Sequence, residues 1–300
     1  MAVRPLLLVG CTLAALSVGS RALAYCRTHT DDPPASSCPE ACKEEGFPLF
    51  WAKSQLTYTF NQRSFPGLSE DALRSIIGAS FQTWESVTCE DGQSVGLNIE
   101  ALAGTTSLQE GPKESEPNQN VIAHLTAREW QARDYDPQAY AITAVWFNPK
   151  DGEIMGADML FNGRMDNFGI CSNEGCDKDG AQPRTDLRNV ATHEIGHFLG
   201  LSHSDVDGST MYCGAAPTEV SKRSLTLDDV AGLCDIYPPG DAFRKDQAIT
   251  STGGASRCSL ALPGEPGTGL SALASVLLPG LLLARRRRRQ ARARARQHTL

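Results

Sequence analysis

The sequence predicts an α+β domain: a twisted mixed β-sheet carrying a long first helix, a second helix in the middle of the chain and a third towards its C-terminal side. Three observations predict it. Between residues 47 and 238, runs that alternate with period two are interleaved with runs of apolar residues at helical spacing. No segment of the chain repeats another. The composition, 41% hydrophobic and 21% charged over 300 residues, is that of a chain able to bury a core.

The elements follow in order. Leu56-Thr57-Tyr58-Thr59-Phe60 alternates and reads as a strand. Ser69, with Glu70 and Asp71 behind it, opens a helix to about Val87, whose Leu73, Ile76, Ile77, Phe81 and Trp84 form one apolar stripe for core packing. Val95–Leu102 and Val121–Leu125 read as strands separated by a polar surface loop, Gly104–Asn120. Tyr140–Phe147 and Ile154–Phe161 flank the turn signal Asn148-Pro149-Lys150-Asp151-Gly152 and should adjoin. After a loop rich in Gly, Asp and Cys, a helix begins near Thr185-Asp186. A last helix spans Ser224–Tyr237, and the composition turns to linker after Pro238-Pro239.

The ends read as addressing signals. Residues 1–24 have a basic start, an apolar run from Pro5 to Gly19 and the small residues Ala22-Leu23-Ala24, which predicts a secretory signal cleaved before Tyr25. Residues 25–46 form a Cys-rich N-terminal segment, 47–238 the domain, 239–257 a linker and 258–300 a tail. In that tail Cys258 precedes an apolar run, Gly269–Ala284, and then Arg285–Arg289. The order resembles the C-terminal surface-sorting tails of myxobacterial exported proteins, which implies processing near Cys258 and a transient or C-terminal membrane association, basic end inside.

Removing both ends changes the charge. The formal net charge is −7, but ten of the 28 basic residues lie in residues 1–24 and 258–300, leaving 18 against 34 acidic residues, a net of −16 for the body. Such a surface excludes a nucleic-acid grip, which needs basic faces for phosphate. Ten cysteines, less Cys11 and Cys258, leave eight, suited to four disulfides in an oxidising compartment. Cys171 and Cys176 are placed to close a small loop, and Cys213 and Cys234 to tie a loop to the last helix. The pairing among Cys26, Cys38, Cys42 and Cys89 stays open.

The chemistry is concentrated at residues 193–203, HEIGHFLGLSH, which hold three of the six histidines. His193 and His197 leave one helix face a turn apart and can share an ion. Glu194 can reach a water on that ion without binding the ion itself. Gly200 stands where the helix must stop and turn back. His203 then completes three nitrogen ligands and leaves a position open for water, the pattern of one catalytic Zn2+.

The motif His193-Glu194-x-x-His197-x-x-Gly200-x-x-His203 resembles that of the metzincin (zincin-like) metalloproteases. Ser204 after the third histidine, and Met211 eight residues past it, resemble the matrixin branch, the matrix metalloprotease type. The resemblance covers Phe47–Pro238. It implies a turn at Met211 flooring the metal, a closing helix at Leu227-Asp228-Asp229-Val230-x-Gly232, and a substrate-flanking edge strand at Ile154–Asn162. It implies a zinc endopeptidase with metal ligands His193, His197 and His203, catalytic Glu194, and protein or peptide substrates, working as a monomer in a secreted, extracellular or bacterial cell-surface location. No segment matches the family's Pro-Arg-Cys-Gly cysteine switch, and the histidines outside the motif do not suffice for its second, structural zinc. The stretches Asp177–Gly180 and Asp205–Gly208 have the oxygen donors for Ca2+. Two other readings use the same residues: a surface binding or adhesion protein with a vestigial metal site, and a zinc hydrolase acting on a non-peptide bond.

Overall fold

The computed structural model describes residues 24–32, 42–63, 65–107, 110–111, 119–165, 168–173, 175–176, 178–179, 182–183, 185–240 and 294–299. The expected signal segment before Ala24, nearly all of the linker, and the tail other than 294–299 lie outside them, as does Asp177–Gly180 apart from Lys178 and Asp179. Along the chain run β1 (Gln55–Asn61), α1 (Glu70–Glu85), β2 (Asn98–Thr106), β3 (Val121–Thr126), α2 (Ala127–Ala132), β4 (Ala141–Phe147) and β5 (Ile154–Gly163). Two-residue strands follow, β6 (Phe168–Gly169), β7 (Lys178–Asp179), β8 (Gln182–Pro183) and β9 (Thr185–Asp186), then α3 (Leu187–Phe198), α4 (Leu227–Ile236) and β10 (Arg294–Thr299).

Six strands form one mixed sheet in the order β10-β4-β5-β3-β1-β2. β1 pairs in parallel with β2 and β3, and β3 with β5; β4 runs antiparallel to β5 and to β10. This is the mixed sheet with helices that the sequence predicts. The stripe of α1 buries Leu73, Ile77, Phe81 and Trp84, while Ile76 is only partly covered. Phe81 stacks on Tyr58 of β1 at 4.4 Å between centroids and meets Phe198 of α3 edge-on at 5.4 Å, so α1 and α3 share one face of the sheet. A smaller cluster on Trp130 of α2 gathers Val121, Ala123, Leu125, Ile142 and Leu160.

Four expectations are corrected. The edge strand is not Ile154–Phe161: β5 lies inside the sheet, between β3 and β4, and buries all of Ile154–Gly163 but Met155, as an interior strand must. β4 is the outer strand of the domain's own set, and its far side carries β10. β2 begins three residues later than expected and ends at Thr106, inside the expected loop. Its partner β1 starts only at Gln55 opposite Asn98, and the ladder resumes after a bulge with Phe60 opposite Thr105. The last helix starts at Leu227 rather than Ser224, because Thr226 and Asp229 form a capping box. Finally, Cys234 is bonded to Cys89 just beyond α1, not to Cys213, which is disulfide-bonded as well. Cys171–Cys176 pairs as expected, and Cys26 pairs with Cys42.

Candidate metal centre

Helix α3 brings the motif into the core. Its N-cap Asp186 accepts the N–H of Asn189 at 2.7 Å and is gripped by the Arg223 guanidinium, which also donates to the carbonyl of Cys171. Trp84 of α1 donates its indole N–H to Thr192 at 2.8 Å, fixing the helix one residue before the first histidine. Gly196 allows close packing here: a Cβ on it would lie 2.2 Å from Sδ of Met211.

The helix then ends in a Schellman turn. Gly200, at φ +102°, donates to the carbonyl of His197, and Leu201 donates to that of Gly196. The reversal brings His203 back to the helix face. Nε2 of His197 lies 3.1 Å from Nε2 of His193 and 3.2 Å from Nε2 of His203. All three rings and Glu194 are buried.

Main-chain carbonyls orient two of the rings. Nδ1 of His193 donates to Thr210 at 2.6 Å, and Nδ1 of His197 donates to Leu201 at 2.9 Å. A carbonyl can only accept, so the proton sits on Nδ1 and the Nε2 lone pair is left for a metal. Three nitrogens about 3.3 Å apart are what tetrahedral ligation at about 2.0–2.1 Å requires. The triad therefore fits a zinc site on the two separations from His197 and on the tautomers of His193 and His197. Among the described residues the other convergent group, Cys171, Cys176 and Asp186, has its sulfurs in a disulfide, and no group of three forms at the exposed Asp205 and Asp207.

The turn beneath the triad is tied from two sides. Asp229 of α4 accepts the N–H groups of Thr210 and Met211, both at 2.9 Å, and Asp228 accepts the hydroxyl of Ser204 at 2.7 Å. Lys222 is buried, and its ammonium donates to the carbonyls of Tyr212 at 2.6 Å and of Ser209 and Thr210 at 3.3 Å. Burial lowers its amino group to about 8. Lys222 thus holds the same carbonyl that orients His193.

Glu194 is the other half of the site. Burial pushes its carboxyl up to about 8, opposed by one hydroxyl: Oγ1 of Thr143, on β4, donates to Oε2 at 2.6 Å. Oε1 has no hydrogen-bond partner among the described residues.

The motif, the turn and the paired acids of α4 coincide with a family pattern over most of the domain: the profile described as Matrixin matches residues 50–238. The chain belongs to the matrixin family. Metalloendoproteinase 4-MMP of Arabidopsis thaliana is 26% identical over 204 residues, 66% of this chain and 49% of that protein. Metalloendoproteinase 1-MMP of the same plant is 43% identical over 74 residues, 25% of this chain and 20% of its own. Matrilysin of Rattus norvegicus is 44% identical over 59 residues, 20% of this chain and 22% of its own. The matched part spans about half or less of each relative's length.

In this matrixin domain the structure brings His193, His197, His203 and Glu194 together as the spacing predicts. Sequence reasoning missed Thr143, Lys222 and Arg223, and placed Asp186 at the helix start without its tie to Arg223. Asp186 stood at an expected helix start and had a capping signal. A threonine in an apolar strand and a lysine in a polar loop carry none.

Proposed function

We propose that this matrixin is a secreted zinc endopeptidase in which His193, His197 and His203 hold one zinc ion and Glu194 is the general base. The observation that carries this reading is the convergence of three imidazole Nε2 atoms beside a buried carboxylate, one oxygen of which has no partner among the described residues. Zinc bound there supplies Lewis acidity towards water and the scissile carbonyl. Oε1 of Glu194 takes the proton of the attacking water and then passes it to the departing amine. Burial alone disfavours the ionised carboxylate, and a cation held by the three imidazoles would favour the ionised form that a base needs.

Substrate alignment falls to β4 and not to β5. An extended peptide pairs with an unpaired strand through main-chain hydrogen bonds, and β4 is the marginal strand of residues 50–238 that also contacts Glu194 through Thr143. That edge holds β10 in register, with Thr299 opposite Ile142 and Arg294 opposite Phe147, so a substrate strand and residues 294–299 compete for one row of partners. The disulfides Cys26–Cys42, Cys89–Cys234 and Cys171–Cys176 support an oxidising, extracytoplasmic location. Among the described residues, no helix is long and apolar enough to cross a membrane.

The deciding experiment is Glu194→Gln in the full chain, read by hydrolysis of labelled peptides and by metal content. Loss of cleavage with one zinc retained per chain is expected. Wild-type cleavage by this variant rules out Glu194 as the base. Retained zinc with no peptide cleavage by the wild-type protein favours a binding protein.

A further inference from the structure

Thr143 sits in the middle of β4, paired with Met159 of β5 and fully buried. Its hydroxyl has one proton to donate and two oxygens of the same residue within reach: Oε2 of Glu194 at 2.6 Å and the Glu194 main-chain carbonyl at 3.1 Å. The carboxylate is the nearer and the stronger acceptor. Its second oxygen, Oε1, has no partner among the described residues although the whole side chain is buried. A buried carboxylate normally fills the acceptor sites of both oxygens. Here the sheet fills one, and no described residue reaches the other.

We infer that Thr143 is a positioning residue that makes the two oxygens of Glu194 unequal, so that Oε1 alone receives and returns the proton during hydrolysis. This rests on the reading of Glu194 as the base. The hydroxyl holds Oε2 and thereby fixes the rotation of the carboxylate about its last bond, a broad and soft torsion for glutamate. When Oε1 gains a proton from water, Oε2 keeps its acceptor role towards Thr143, so the hydrogen bond persists through both halves of the cycle. The proton then leaves from the oxygen on which it arrived, and no carboxyl rotation is needed in between. Because Thr143 belongs to the strand assigned to substrate alignment, one element sets both the register of the peptide and the direction of the base.

Peptide hydrolysis by the zinc-loaded full chain tests this with Thr143→Val and Thr143→Ser, alongside Glu194→Gln. The valine variant keeps the shape and loses the donor. Its kcat should fall about 10- to 100-fold, the loss expected for one hydrogen bond to a charged group, with KM within about twofold. The serine variant should stay within about threefold of wild type, since the hydroxyl is retained. Zinc affinity, read by competition with a chromogenic chelator, should be unchanged in both. If the valine variant does not fold, Thr143→Cys, a weak donor of similar size, takes its place and should lower kcat about tenfold. A wild-type kcat in the valine or cysteine variant overturns the inference while leaving the base in place, provided Glu194→Gln is inactive. A loss in kcat accompanied by loss of zinc, or not rescued by serine, overturns it in favour of a purely structural role. Activity in Glu194→Gln removes the reading on which it stands.

Discussion

Gly200→Ala puts a measurable load on the turn that assembles the site. Gly200 is at φ +102°, beyond the region that even asparagine favours, and a Cβ there would lie 2.7 Å from the carbonyl oxygen of Leu49. That oxygen is main chain in a buried segment and cannot swing aside as a side chain can. The positive φ costs about 1–2 kcal/mol and the overlap adds about 1–3 kcal/mol. For a domain of this size the total should lower Tm by roughly 4–20 °C. Gly208→Ala is the matched control: its φ is +81°, and nothing lies within 4 Å of the added Cβ. Only the backbone term acts there, and roughly 2–8 °C should be lost. The same turn presents the Leu201 carbonyl to His197 and returns the chain to His203, so Gly200→Ala should also weaken zinc binding, whereas Gly208→Ala should not. Differential scanning calorimetry and chelator competition read the two effects. Equal Tm losses in the two variants would refute the steric argument, and unchanged zinc affinity in Gly200→Ala would refute the link from turn to ligands.

Four further outcomes follow from the same geometry. Chelation should abolish peptide cleavage and lower Tm, both restored by added zinc, because a ligand bound only by the folded state stabilises it; a Tm indifferent to zinc contradicts the metal reading. Burial pushes the Asp158 carboxyl from its usual 3.8 up to about 7, against two N–H groups from Val121 and Gly111 that pull it down. The folded protein then keeps a proton that the unfolded chain releases, so stability should fall as pH rises from about 4 to about 7 and level off above, and Asp158→Asn should flatten that window in pH-dependent unfolding. Replacing Cys89 and Cys234 together by serine removes a link across 145 residues, a loss of about 4–5 kcal/mol in the chain-entropy account, visible as a lower denaturant midpoint with zinc content unchanged. Arg296→Pro with Gln297→Pro removes two successive N–H donors from β10, at least one of which faces β4, so KM for an extended peptide should fall; an unchanged KM means that residues 294–299 do not compete with substrate.

The legible parts of the fold were those with strong local signals. The α1 stripe, the HExxH spacing and the Gly200 stop are each written within one element, and all three stand where expected. The order of strands was not legible, because Ile154–Phe161 and Tyr140–Phe147 are both apolar and neither shows which has a second neighbour. The distinction lies in β3, some 30 residues upstream, which pairs with β5 and makes it interior. α2 escaped notice for the opposite reason: six residues are too few for a periodic stripe, although Thr126 and Glu129 carry the capping-box pair. Thr143 and Lys222 reach the site only through what they face after folding, and their own segments read as an ordinary strand and an ordinary loop.

The contacts around the triad divide the labour among three elements. α3 supplies the two helical imidazoles and the carboxylate, but it fixes neither the ring tautomers nor the carboxylate torsion. The tautomers are set by carbonyls outside the helix, at Leu201 in the Schellman turn and at Thr210 above Met211. The torsion is set from β4 through Thr143. Asp229 and Lys222 hold the two peptide groups that flank Thr210, one accepting its N–H and the other donating to its carbonyl. A change at Lys222 should therefore reach the metal through His193 without touching the base, and a change at Thr143 should reach the base without touching the metal. Lys222→Met and Thr143→Val then have separable signatures, weakened zinc affinity at constant kcat of the loaded enzyme for the first and the reverse for the second. Because the two positions share no bonding partner, their effects on kcat/KM at limiting zinc should add within about 0.5 kcal/mol in the double variant. A larger coupling would mean that the sheet and the turn move as one body, and the division drawn from the hydrogen bonds would have to be given up.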